Sequence, residues 1–229
     1  MSIQDNLEHI RSQMAAACAR SGRDPAVVRL VAVSKTHPAT LVEEAAAAGQ
    51  RLFGESYVQE FVAKAEAAKS PVEWHFIGAL QSNKIKYLRG RVALIHSVDR
   101  LSQAGFVDAG FGLLTADVLL QVNLGREETK SGVDETGLEE LVRQVARLPH
   151  VHIRGLMTLP PYFDEAEAVR PYFRRLREVA GEIRALGLPG VEMAELSMGM
   201  SHDFMVAIEE GATLVRVGTA IFGERDYFR

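Results

Sequence analysis

A single cysteine, Cys18, stands among the 229 residues, so no disulfide can close within the chain and no cysteine-based metal cluster can be built. It lies in the run Met14-Ala15-Ala16-Ala17-Cys18-Ala19, where a small buried helix residue is a better reading than a nucleophile. No apolar run is long enough to span a bilayer. Positive charge is not in excess. With 26 Lys and Arg against 30 Asp and Glu the net charge is −4, which argues against a general binder of nucleic acid or membrane surfaces. The opening Met1-Ser2-Ile3-Gln4-Asp5-Asn6 is polar and acidic, unlike a signal peptide, so a cytoplasmic protein is expected. No Gly/Ser linker or low-complexity tract divides the chain, and one domain over residues 1–229 is expected. His75 and His96 fall in different apolar runs with no carboxylate at ligand spacing. They read as core or hydrogen-bonding histidines, and no metal site is expected.

What the chain has is a repeat. After a helical pattern from Gln4 to Ser21, with Leu7, Ile10, Met14 and Ala17 on one face and Gly22 as its stop, short apolar runs alternate with helical stretches. The runs are Val27–Val33, Arg51–Phe53, Glu73–Ile77, Val92–His96, Asp117–Val122, His152–Leu156, Val191–Leu196 and Thr213–Val217. Helices are expected over Thr40–Ala48 and Tyr57–Lys69. Eight strands joined by helices suggest parallel strands with right-handed crossovers, and eight is the closure number of the common barrel. The pattern predicts a single (β/α)8 barrel with an extra N-terminal helix, and leaves an open doubly wound sheet as the alternative.

Ligands of such barrels bind at the carboxyl ends of the strands. Lys35, Glu55, Gly78, Ser97, Asn123, Met157, Ser197 and Gly218 all follow apolar runs, although polar strand ends are also what loops require. Lys35 directly follows its strand. Beside a packed interior its amine is a Schiff-base nucleophile; otherwise it reaches out to solvent. Ser197-Met198-Gly199-Met200-Ser201-His202-Asp203-Phe204 joins the seventh run to a helix, with Ser201 as its expected N-cap. Gly218-Thr219 follows the eighth run. Backbone N–H groups and hydroxyls at these two places suit a phosphate. Arg216 interrupts the eighth run and needs an acceptor, either a ring nitrogen of a cofactor or a carboxylate such as Glu195. Lys84, Lys86 and Lys130 make a basic patch if they meet, and a solvated face otherwise.

Val31-Ala32-Val33-Ser34-Lys35-Thr36, Phe53-Gly54-Glu55-Ser56-Tyr57-Val58-Gln59-Glu60 and Trp74–Lys84 resemble the pyridoxal phosphate homeostasis protein family. So do His96-Ser97-Val98-Asp99, Gln121-Val122-Asn123, Lys130-Ser131-Gly132, Gly155–Pro160 and Leu196–Gly223, in family order and along almost the whole chain. The resemblance implies the barrel of the alanine racemase N-terminal domain (fold type III) with pyridoxal 5'-phosphate (PLP) as cofactor. It implies that Lys35 carries PLP as a Schiff base, that Arg216 faces the pyridine nitrogen, and that Ser197, Ser201, Gly218 and Thr219 surround the phosphate. Ser56, Asn123 and Met157 complete the expected cofactor-binding set. The family pattern usually has Asn where this chain has Ser56, and a serine offers fewer hydrogen bonds there.

The same resemblance implies a PLP carrier that affects vitamin B6 balance, and no catalytic residues are assigned. The expected partners are PLP and PLP-dependent apo-enzymes, and a monomer is expected. A small PLP-dependent racemase is the alternative. Against it, the β-rich second domain of such enzymes is not expected here, and Tyr162, Tyr172 and Tyr227 sit in no acid/base motif. A PLP-free Schiff-base aldolase would explain Lys35 and the phosphate loop but not Arg216.

Overall fold

The computed structural model describes residues 2–125, 127 and 131–224. Lys130 and Tyr227 lie outside the described residues. Eight strands form one closed, all-parallel barrel in sequence order, and the last pairs with the first, which removes the open-sheet alternative. They are β1 (Arg29–Val33), β2 (Leu52–Glu55), β3 (Glu73–Phe76), β4 (Leu94–Val98), β5 (Ala116–Val122), β6 (Val151–Thr158), β7 (Val191–Ser197) and β8 (Leu214–Val217). The connecting α-helices are α2 (Ala39–Ala47), α3 (Val58–Ala67), α4 (Leu101–Phe111), α5 (Glu135–Val145), α6 (Arg170–Ala185), α7 (Phe204–Glu209) and α8 (Thr219–Phe222); a 3-10 helix, Ser82–Tyr87, links β3 to β4.

Each apolar run becomes a strand, with one systematic difference. Glu55, Ser97, Met157 and Ser197, read as following strands, lie within β2, β4, β6 and β7. A ladder is made by backbone groups, so it continues through a polar residue whose side chain finds a partner. Alternation then gives the two faces. Val31, Leu52, Leu94, Leu119, Met157 and Leu214 form a cluster of their own in the lumen, while residues such as Ala32, Phe53, Phe76 and Val215 join the larger layer between strands and helices. The β6–β7 register shifts between Ile153 and Gly155 and then sets Met157 opposite Ser197. Gly155 permits that crossing, since a Cβ there would stand 1.8 Å from the Glu195 carbonyl oxygen.

The extra N-terminal helix, α1 (Ile3–Ser21), carries a Ser2–Asp5 capping box and ends on Gly22 in the left-handed region. Its buried face, Ile3, Leu7, Ile10, Met14, Ala17 and Cys18, packs chiefly against α7 and α8. Those helices have six and four residues, too few to cover their share of the barrel wall, and α1 supplies the missing layer. Asn6 Nδ2 donates to the Ile221 carbonyl at 2.9 Å, and Arg23 reaches the carbonyls of Ile208 and Ala212.

Candidate functional site

A cavity of about 270 Å³ opens at the carboxyl ends of the strands. Its polar lining includes Lys35, Ser56, Ser201, Asp203, Arg216, Gly218 and Thr219, and its apolar wall includes Val33, Ile77, Met157 and Leu159. Tyr162 and His202 stand at the same cavity with their rings 5.4 Å apart. Seven of the nine residues expected from the sequence to hold a cofactor therefore meet in one place. The other two do not line it. Ser197 is fully buried behind Arg216. Asn123 ties down the loop after β5, its amide donating to the Glu127 carbonyl at 2.9 Å.

Alternation along β1 delivers Lys35 to this cavity, two residues beyond Val33 and four beyond the lumen residue Val31. The backbone on both sides of Lys35 is held from behind. Lys64 Nζ, reaching in from α3, donates to the Ser34 carbonyl at 2.7 Å. The Thr36 N–H donates to Glu60 Oε2 at 2.7 Å. Thr36 has φ 68°, alone among the described non-glycine residues in being positive. A β-branched residue there is strained, and this exposed threonine is held by the Glu60 bond and by its own hydroxyl, which donates to the Lys35 carbonyl at 2.6 Å.

Lys64 and Glu55 form a buried pair at 2.7 Å, and Ser34 Oγ donates to the same Glu55 oxygen at 2.5 Å. The other Glu55 oxygen is buried without a hydrogen-bond partner. Burial raises the Glu55 carboxyl above its ordinary value, and the Lys64 ammonium offsets part of the rise. Sequence reading missed this cluster because its members lie just after β1, on β2 and on α3, and a lysine on a helix ordinarily points to solvent.

Arg216 is buried in β8 and reaches the cavity. Its Nη1 donates to Ser197 Oγ and its Nη2 to the Thr158 carbonyl at 3.0 Å. Burial lowers its pKa to about 10, so it remains a cation at neutral pH. The carboxylate partner considered from the sequence is not used. Glu195 lies two residues before Ser197 on β7, toward the amino end of the barrel, where Arg29 at 2.7 Å and the Thr213 hydroxyl at 2.6 Å engage it.

The two small-residue loops border the cavity beside Arg216. Gly199 has φ 91°, and a Cβ on it would stand 2.5 Å from the Ala207 Cβ, so only glycine lets this loop fold onto α7. Ser201 is not the N-cap of α7. A turn intervenes, with the Asp203 and Phe204 N–H groups both bonded to the Met200 carbonyl, and the helix begins at Phe204. Asp203 Oδ1 accepts the Met200 N–H at 2.6 Å, which leaves Ser201 on the cavity wall.

Below Arg216 the lumen contains a polar column. His96 Nδ1 lies 2.9 Å from Ser197 Oγ, His96 Nε2 lies 2.8 Å from His75 Nδ1, and His75 Nε2 lies 3.1 Å from Glu73 Oε1. Burial lowers the pKa of both histidines, that of His96 strongly. Among the described residues no group of three or more His, Cys, Asp or Glu is arranged to hold a metal ion.

An eight-stranded barrel with a lysine at the end of β1 and a buried arginine on β8 defines a class, and residues 5–226 match the family model for the alanine racemase N-terminal domain. The fold is also that of alanine racemase from Corynebacterium glutamicum, at 18% identity and a TM-score of 0.75 over 99% of this chain and 63% of that one. Closer relatives narrow the class. The pyridoxal phosphate homeostasis protein of Aquifex aeolicus is 48% identical over 99% of this chain and all of its own length. PipY of Synechococcus elongatus, solved with PLP bound, is 38% identical with a TM-score of 0.85 over 97% of this chain and all of that one. The chain belongs to the pyridoxal phosphate homeostasis protein family.

Proposed function

We propose that this chain binds PLP at the barrel mouth, with the Lys35 amine condensed with the cofactor aldehyde and one water released, and that it buffers or delivers PLP. The observation that carries the reading is the convergence of a strand-end lysine, a buried cationic arginine and two small-residue loops on one cavity. The donor set fits PLP part by part. Lys35 meets the aldehyde, Arg216 the ring nitrogen, and Ser201, Gly218 and Thr219 the phosphate. Met157 and Ser56 flank the ring. Ser197 supports the site through Arg216, and Asn123 through the loop after β5. When bound, PLP supplies an aldehyde for imine chemistry and a ring that withdraws electrons once its nitrogen is protonated.

The carrier reading, in preference to turnover, rests on two supports. The relative from Aquifex aeolicus is named for homeostasis. Arg216 retains its protons at neutral pH, so it donates a hydrogen bond to a ring nitrogen without transferring a proton, which leaves the ring a weak electron sink. On this reading one barrel domain acts alone in the cytoplasm and passes PLP to PLP-dependent apo-enzymes. The acidic charge balance supports a role without nucleic acid or anionic membrane surfaces.

The test is a PLP titration followed by visible absorbance, with wild type beside Lys35→Ala. A visible imine band in the wild type that is lost in Lys35→Ala is the expected result. A band retained by the variant overturns the assignment. Incubation with amino acids in deuterated water is expected to leave the α-protons in place, and steady exchange would restore the racemase alternative.

A further inference from the structure

The polar column beneath Arg216 has a direction. Ser197 Oγ accepts from Arg216 Nη1, a group that can only donate. If the Ser197 hydroxyl donates its proton to His96 Nδ1, His96 carries its proton on Nε2 and donates to His75 Nδ1. His75 then donates from Nε2 to the Glu73 carboxylate. Every atom in this order has the partner it needs, and both rings are neutral. The reverse order fails at both ends. It leaves the Ser197 hydroxyl proton without an acceptor in the column, and it turns a bare His75 nitrogen toward a carboxylate unless that ring takes up a second proton. The column therefore runs one way, from a buried cation at the cavity to a half-exposed anion at the opposite end of the barrel.

We propose that Ser197, His96, His75 and Glu73 form an axial positioning chain that aims Arg216 and couples bound PLP to the barrel floor. The inference rests on the PLP reading above, in which Arg216 meets the ring nitrogen. None of the four lines the cavity, so they are positioning residues rather than ligands. Their far end opens into a separate floor cavity of about 160 Å³, whose lining includes Glu73 and His75. The charged groups facing the chain there are Arg29 from β1, Asp117 from β5, Arg154 from β6 and Glu195 from β7. Arg29 lies 3.9 Å from Glu73 and 2.7 Å from Glu195, and Arg154 lies 3.7 Å from Asp117. Each link polarises the next in a low-dielectric lumen, so a change at Glu73 is felt at Arg216 without any movement of the barrel wall.

The test combines imidazole ¹⁵N NMR with PLP absorbance. In ligand-free wild type at neutral pH, both His75 and His96 are expected as neutral Nε2–H tautomers, and adding PLP is expected to shift both sets of signals. His96→Leu is expected to weaken PLP binding about two- to tenfold, the equivalent of one neutral hydrogen bond. Because that substitution is fully buried, the half-exposed Glu73 provides the second lever. Glu73→Leu is expected to shift the pH titration of the visible band, and Glu73→Gln, which keeps a carbonyl acceptor for His75, is expected to restore wild-type behaviour. Unmoved histidine signals on PLP uptake, with Glu73→Leu titrating as wild type, overturn the proposal. If no visible band forms in wild type, the PLP reading fails. The chain is then judged by its tautomers, and Nδ1–H at His96 or a charged ring at either position overturns it.

Discussion

At the residue scale the position of Lys35 depends on groups that never touch the cavity. Lys64 and Glu60 grip the carbonyl before it and the N–H after it, and Lys64 also compensates a buried Glu55 carboxyl. Removing one partner of a buried pair leaves the other uncompensated, so Lys64→Met is expected to cost about 3–5 kcal/mol in chemical denaturation at neutral pH. The loss depends on pH in a defined sense. Burial raises the Glu55 carboxyl above its ordinary 4.5, so the folded state binds that proton more readily than the unfolded chain. Its contribution favours folding at low pH and is lost as pH climbs from 4.5 through the raised value. Without the Lys64 ammonium that value rises further, so the gap between variant and wild type should narrow toward pH 4.5 and widen toward neutrality. Lys35 and Arg216 were legible in the sequence because each is a long cation within or directly after an apolar run. Lys64 was not, because nothing local separates a helix lysine that enters a buried network from one that faces water.

At the element scale the apolar runs located all eight strands, and alternation carried Val31, Val33 and Lys35 onto one face. The carboxyl ends were harder to read, since Thr158 and Ser197 continue their backbone ladders while their hydroxyls are bonded to neighbouring strands, Thr158 to the Val122 carbonyl of β5 and Ser197 to Arg216 of β8. The sequence likewise showed the N-terminal helix without showing what it covers. α1 takes the place left by the short α7 and α8, and both of those helices adjoin the cavity loops. Leu7 is fully buried in that contact, and Leu7→Ala is expected to destabilise the fold by about 2–5 kcal/mol. Thermal unfolding measures the loss. PLP should recover part of it, because a ligand that binds only the folded state raises apparent stability.

At the scale of the whole molecule the barrel has a mouth, a floor and a polar axis between them. That axis places two neutral histidines where burial opposes their protonation, and their folded pKa values are lowered. The unfolded chain therefore binds more protons as pH falls below 6.5, at a cost of about 1.4 kcal/mol per pH unit for each histidine that stays neutral when folded. Stability is thus present above 6.5 and is lost on acidification. Urea unfolding at pH 7.5 and 5.5 is expected to show a drop that is smaller in His75→Gln than in wild type. Equal drops in the two proteins would mean that the column does not set the acid response.

Borohydride reduction of the PLP-loaded protein, followed by digestion and peptide mapping, tests attachment of PLP to Lys35 most directly. One phosphopyridoxyl group is expected, on the peptide that contains Lys35, and none on Lys64, Lys84 or Lys86. A reduced adduct on another lysine with Lys35 unmodified would contradict that attachment.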